Sequence, residues 1–245
     1  MGELTMYTVT HIPMTHVPAG RTPIFVGGGQ NPAGWLTDGT GDHIASRNPF
    51  YCELTALYWI WKNDHTSRYI SIEHYRRFFL RPLPFALADQ AYLLKLLRQG
   101  TIVVSRPVKW QVNVRQEYGA SHCSDDLQAA EDAIRRLYPD YLPDFQAVMD
   151  QHAISICNMT AMPKSMLDAY CAWLFSILFA AEPAIRLDGR SSYQKRAYGF
   201  LGERLLNVWV RHNAPKVRRL PICFRGPSPL STLYHTASLY LHSVF

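Results

Sequence analysis

The densest group of chemistry-bearing side chains is Tyr69-Ile-Ser-Ile-Glu-His-Tyr-Arg-Arg77, where a run of strand formers ends in Glu73, His74, Arg76 and Arg77. A strand there delivers these groups to one edge of a sheet. Guanidinium groups stay charged and grip phosphate oxygens in a two-toothed fork, so the pair suits a diphosphate, including one that departs as a leaving group. Surface arginines that merely close a strand are the plainer explanation.

A second cluster, Asp38-Gly-Thr-Gly-Asp42 with His43 and Ser46-Arg47-Asn48, sets carboxylates and small residues before a helix start, where phosphate is attracted. It resembles a calcium loop only superficially, because the downstream ligands are missing. A capped loop without function accounts for it equally well. Glu53 stands among apolar neighbours in Phe50-Tyr-Cys-Glu-Leu-Thr-Ala-Leu-Tyr-Trp-Ile-Trp61, and a half-buried carboxylate has a partner or a task. A salt bridge to Arg76 or Arg77 and a substrate contact are equally good readings. Glu203 and Arg204 lie in a helical run after Gly199 and Gly202, simplest as a solvated acid–base pair; Asp125 and Asp126 follow Ser124, where helix capping explains them. No Gly-x-Ser-x-Gly, P-loop, dinucleotide or His-Glu-x-x-His pattern occurs.

The elements that position these groups alternate between strand and helix. Strands are expected at 7–11, 24–26, 68–73, 101–105 and 154–157, with a loop over a site at 34–47. Asn48 as cap and Pro49 in the first turn start one helix that runs to about Asn63. Further helices are expected at 87–99, closed by Gly100, from Ser124 to about Leu137, from Pro143, from Pro163 to about Ala181, and over 199–211. Beyond Pro215 the chain reads as irregular and basic. The alternation predicts an α/β fold with a mostly parallel central sheet flanked by helices, whose site lies at the carboxyl ends of the strands.

The chain has 245 residues, 48% hydrophobic and 18% charged, enough for one sizeable core. All 19 acidic residues lie at or before Glu203, so Arg204, Arg211, Lys216, Arg218, Arg219 and Arg225 carry the whole net charge of +6. Such a field attracts anionic headgroups, a lipid-linked diphosphate or nucleic acid, and equally suits a merely solvated face. Five widely spaced cysteines argue for reduced thiols rather than a disulfide framework or zinc site. The N-terminus lacks the basic and apolar pattern of a secretory signal, so a cytoplasmic protein is expected.

Four blocks, Gly41-Asp-His-Ile-Ala-Ser-Arg-Asn48, Tyr51-Cys-Glu-Leu-Thr-Ala-Leu-Tyr-Trp-Ile-Trp-Lys-Asn63, Glu73-His-Tyr-Arg-Arg-Phe-Phe79 and Gly199-Phe-Leu-Gly-Glu-Arg-Leu-Leu-Asn207, together resemble a family of bacterial capsular and exopolysaccharide glycosyltransferases, formerly classed as a domain of unknown function. Block order is matched from about residue 7 to 211. The resemblance implies a GT-A-like single domain over residues 1–213, with 214–245 a basic tail that packs on it or faces the membrane. It implies inverting transfer of a sugar, galactofuranose in characterised relatives, from a uridine-diphosphate donor to a glycan or lipid-linked acceptor.

On that reading Thr10, His11, Asp42, Asn48, Glu53, His74, Arg76 and Arg77 bind the donor, and Arg204 the acceptor. Glu203, kept ionised by the helix dipole, is the general base, with Asp125 or Asp126 as competitors. His43 and Ala45 depart from the family pattern, which leaves room for a different donor. The strand that would carry a metal-binding Asp-x-Asp ends in Glu-His-Tyr-Arg-Arg, so transfer without magnesium or manganese is favoured. Peripheral contact with the inner face of the membrane through the tail is expected, and nucleic acid is not. The reading from another class is a non-catalytic carbohydrate- or nucleic-acid-binding protein that uses its Trp and Tyr faces.

Overall fold

The computed structural model describes residues 2–31, 33–82, 86–213, 216–225 and 236–237. In chain order the first strands are β1 (Leu4–Thr10), β2 (Arg21–Phe25) and β3 (Leu36–Thr37), followed by helices α1 (Asn48–Tyr51) and α2 (Leu54–Asn63). Next come β4 (Tyr69–His74), β5 (Arg77–Arg81), β6 (Ala86–Leu87), α3 (Gln90–Leu97), β7 (Ile102–Ser105) and β8 (Val108–Lys109). Helices α4 (Val114–Ser121), α5 (Ser124–Leu137) and α6 (Leu142–Met149) precede β9 (Ala153–Ile154) and β10 (Thr160–Pro163). The chain continues through α7 (Lys164–Ala181), α8 (Ala197–Asn213), β11 (Val217–Leu220) and β12 (Ile222–Phe224).

The sheet runs β11-β7-β10-β4-β1-β2-β3. Its β3-β2-β1-β4 half is wholly parallel, whereas β10 lies antiparallel between β4 and β7. The order reverses at β1 and β4, and a crevice therefore opens at their carboxyl ends. Alternation along β4 sends Ile70 and Ile72 into the larger core, against α2, α7 and α8, and Tyr69 into the smaller core beneath α3. Helix α7 is apolar nearly all round because it is covered on several sides: Phe175 stacks on Trp61 of α2, and Tyr170 meets Trp209 of α8. Residues 164–184 are long and apolar enough to cross a bilayer, but half of that span is buried in the protein's own core.

Several local expectations differ from the structure. The helix expected from Asn48 is two helices, because Cys52 takes φ 52° and breaks it. Asn48 is not its cap; its Nδ2 donates to the Cys52 carbonyl and to Thr55 Oγ1. The cap of α5 is Cys123, without a side-chain bond, rather than Ser124. Helix α4, absent from the sequence reading, carries a full capping box between Asn113 and Gln116. The strand expected over 154–157 stops at Ile154, since Cys157 and Asn158 both turn left-handed, with φ 76° and 48°. The stretch after Pro215 is not irregular: β11 adds to the sheet beside β7, and β12 pairs with β5. The remainder of the expected tail, apart from 236–237, lies outside the described residues. All five cysteines are unpaired.

Candidate functional site

A cavity of about 620 Å³ occupies the crevice where the strand order reverses. Thr10 and His11 enter it from the end of β1, and His74, Tyr75, Arg76 and Arg77 from the turn between β4 and β5. The α1–α2 elbow contributes Asn48, Cys52 and Glu53, and the segment before α8 contributes Ser192, Lys195 and Arg196. Asn48 and Pro49 also wall a second chamber of about 340 Å³ behind Gly27, Gly28 and Gly29, in which Asp38 sits. Gly27 has φ 87°, and a Cβ there would stand 2.9 Å from Asn48 Oδ1, so the partition between the chambers requires glycine.

The main chamber is positive. Arg76, Arg77, Lys195 and Arg196 make no ion pair among the described residues, and Glu53 is the one carboxylate in the described lining. Aromatic faces hold all three guanidinium groups: Arg76 lies 4.7 Å from the Tyr75 ring centre, Arg77 5.6 Å from that of Phe224 and Arg196 5.3 Å from that of Phe200. Arg196 Nε also donates to Cys52 Sγ at 3.1 Å. Burial, then Arg77 and Arg196, depress the His74 imidazole to about 3, and burial, then Arg76 and Arg196, lower that of His11. His74 is therefore neutral at pH 7, so a role in binding the donor would be as a hydrogen-bonding group and not as a charge. Its buried Nε2 has no hydrogen-bond partner.

Glu53 does not pair with Arg76 or Arg77; its Oε1 accepts a 2.7 Å hydrogen bond from Asn158 Nδ2. Glu73 faces away from the chamber, because alternation along β4 turns it to the other side of the sheet, where Arg21 Nε binds it at 2.7 Å with both side chains buried. In the second chamber Asp38 is 2% exposed, and its Oδ2 has no partner. Burial raises its carboxyl pKa, opposed by the Thr55 hydroxyl.

The other expected residues are placed outside the chambers. Asp42 is exposed, held to the end of α2 by Asn63 and by the Tyr58 hydroxyl at 3.2 Å. Asp126 is buried in a two-toothed bridge to Arg190, at 2.6 and 2.8 Å, while Asp125 is exposed in the first turn of α5. Arg204 is 3% exposed and spent on Glu117 at 2.6 Å, Glu203 at 3.0 Å and the Tyr118 ring, so it offers no guanidinium face to an acceptor. Glu203 lies behind Glu53, with Oε1 accepting from the Cys157 N–H at 2.9 Å and Oε2 from Arg204. It sits in the second turn of α8, past the reach of the dipole, and burial raises its pKa in spite of Arg204.

Cys52, Ser192, Lys195 and Arg196, which line the chamber, and Asn158, which bonds Glu53, have no role assigned from the sequence. The adjacent Lys195 and Arg196 just before the Gly199 block were a usable signal. Nothing local marks Asn158, which reaches the site only through the fold.

The expected GT-A-like architecture has a solved counterpart. The apo structure of the WbbM bifunctional glycosyltransferase superposes with a TM-score of 0.80 and 30% identity, over 91% of this chain and 45% of that one. The chain thus spans less than half of that protein. No curated protein matches it. A family model described as a domain of unknown function, DUF4422, matches residues 5–214, which include every residue that lines the two chambers. With that match over most of its length, and with the mixed sheet and flanking helices of a glycosyltransferase fold, the chain belongs to the DUF4422 family.

Proposed function

We propose that the protein is an inverting glycosyltransferase that moves a sugar from a uridine-diphosphate donor, with galactofuranose the first candidate, to a glycan or lipid-linked acceptor in surface-polysaccharide synthesis. The observation that carries this is the chamber at the β1–β4 reversal, where four cations that have no carboxylate partner among the described residues surround the one carboxylate of the described lining. The likeness to a bifunctional glycosyltransferase supports sugar transfer.

In this reading Arg76, Arg77, Lys195 and Arg196 hold the diphosphate. The acceptor oxygen attacks the anomeric carbon, its proton passes to Glu53, and the bond from that carbon to the β-phosphate oxygen breaks. The departing negative charge stays within the arginine cluster. Glu53 replaces Glu203 as base because it lines the chamber, whereas both Glu203 oxygens are engaged behind it. Thr10 and His11 border the nucleotide, and Asn48 stands at the passage to the Asp38 chamber. The walls hold one carboxylate rather than the pair a magnesium or manganese ion would prefer, so the cations take over the ion's role. Arg218 and Arg219, exposed on edge strand β11, and Lys216 just before it are the groups for peripheral contact with an anionic membrane from the cytoplasmic side.

The test is release of uridine diphosphate from a panel of uridine-diphosphate sugars in the presence of acceptor glycosides, with and without chelator. Release undiminished by chelator is expected. Binding of donor without any release would leave the carbohydrate-binding reading in its place, and loss of release to chelator, restored by magnesium or manganese, would sink the metal-independent form.

The second chamber supplies a prediction of base selectivity. Asp38 Oδ2, without a partner among the described residues, is a carboxyl oxygen placed to accept the imide N–H of uracil, and cytosine has only an acceptor at that position. Uridine diphosphate should raise the melting temperature more than cytidine diphosphate does. In Asp38→Asn, whose amide can serve either base, the affinity gap should narrow about tenfold, the scale of one unpaired buried polar group. An unchanged gap would remove Asp38 from base recognition.

A further inference from the structure

Three described residues other than glycine hold a positive φ, namely Cys52, Cys157 and Asn158: the first adjoins Glu53, the third bonds it, and Cys157 bonds Glu203. Cys52 precedes it at the elbow between α1 and α2. Asn158 Nδ2 grips its Oε1 at 2.7 Å and the Gly199 carbonyl at 3.0 Å. Helix α8 closes over the group through its two glycines. A Cβ at Gly199 would lie 3.3 Å from Cys52 Sγ, and one at Gly202 would lie 3.0 Å from Asn158 Oδ1 and 2.9 Å from Leu54 Cδ1.

Left-handed backbone is unfavourable for residues that carry a Cβ, and two in succession persist only where the surroundings over-determine them. Here the constraint is identifiable. Glu203 Oε1 accepts the Cys157 N–H at 2.9 Å, and Glu203 is itself braced by Arg204, which Glu117 holds at 2.6 Å. Ser105 Oγ holds the Ile156 carbonyl at 2.9 Å and Asn207 holds Ser155 just before it, and among the described residues Glu203 is the side chain that takes the turn's own Cys157 N–H.

We propose that Glu203 is a positioning residue: it clamps the left-handed Cys157–Asn158 turn, and the turn presents Asn158 to Glu53 so that the Glu53 carboxylate faces the acceptor hydroxyl. This rests on the reading of Glu53 as general base. It gives Glu203, whose two oxygens are both engaged, a task that needs no contact with substrate, and it accounts for the strain at residues that lie against Glu53 and Glu203.

The experiment compares Glu203→Ala, Asn158→Ala and Glu203→Gln, alone and in a Glu53→Gln background, by uridine diphosphate release and by crystallography. Glu203→Ala should lose about 10²-fold in kcat, the cost of a small misplacement of a reacting group, with the donor KM unchanged. Asn158→Ala should lose a similar amount, and the double variant no more than either, because both act on one carboxylate. Glu203→Gln should recover most of the turnover, since its amide oxygen still accepts the Cys157 N–H although its NH2 gives up the bond from Arg204. In the Glu53→Gln background Glu203→Ala should cost nothing further. Additive losses, or a Glu203→Gln as inactive as Glu203→Ala, would overturn the proposal; the latter would make Glu203 itself the base.

If Glu203→Ala does not fold, Asn158→Ala and the Gln variant carry the same test. A wild-type protein that releases no uridine diphosphate from any donor would defeat the glycosyltransferase reading instead. The crystal structure then still decides the clamp: a Glu203→Ala protein with the turn left-handed and Asn158 still bonded to Glu53 refutes it.

Discussion

Arg77→Ala lowers the rate of sugar transfer by about 10²-fold or more while the protein stays folded, the usual cost of removing one preorganised charge from a developing anion. Arg77 is chosen over its neighbours because of its position. It starts β5 directly across from His74, is partly buried, and lies close enough to His74 for its charge to depress the imidazole. A cation in such a place has lost part of its water without gaining a carboxylate, so its field is available to a ligand. Arg196→Ala should lose comparably, and its effect on donor KM separates ground-state binding from stabilisation of the leaving group.

A second readout of Arg77→Ala does not depend on activity. Loss of a nearby cation makes the charged imidazole less unfavourable, so the His74 pKa, now about 3, should rise in the variant while burial still holds it below the ordinary value. Titration of the His74 ring signals by NMR measures this. Normal turnover together with an unmoved His74 would place Arg77 outside the site.

Glu53→Gln is the other large effect, an expected loss of 10² to 10⁴-fold, or about that range, in kcat with donor affinity nearly unchanged. Glutamine keeps an oxygen where Asn158 Nδ2 donates at 2.7 Å, so the geometry survives and only the capacity to take a proton is lost. The substitution therefore separates chemistry from architecture in a way that alanine would not. Steady-state kinetics with donor and acceptor varied in turn, supported by a melting curve, makes the measurement. Turnover within a few-fold of wild type, or about that, in Glu53→Gln alongside a collapse in Glu203→Gln would return the base to Glu203.

Much of the architecture is written locally. Gly100 at φ 72° closes α3, and Asp89 caps it with a 2.8 Å bond to the Tyr92 N–H. The strand-forming run that became β4 ends in the residues expected to line a site, because the rule that ligands sit at the carboxyl ends of parallel strands needs only the order of elements. Glu53, His74, Arg76 and Arg77 stand out by residue type and local pattern, Thr10, His11 and Asn48 only through the family resemblance, and all seven line the chamber.

What no local pattern determines is which polar group meets which. Glu53, Asn158 and Glu203 are separated by 105 residues and by 45, and their contact exists because α8 packs on the α1–α2 elbow through Gly199 and Gly202. The same distance in sequence hid the partners of Asp126 and Arg204, so a capping acid and an acceptor-binding base turned out to be buried ion pairs. Charge state was likewise beyond the sequence. His74 is neutral because burial and two arginines from different elements act on it together, and desolvation with through-space charge is a property of the folded surroundings rather than of any neighbour along the chain.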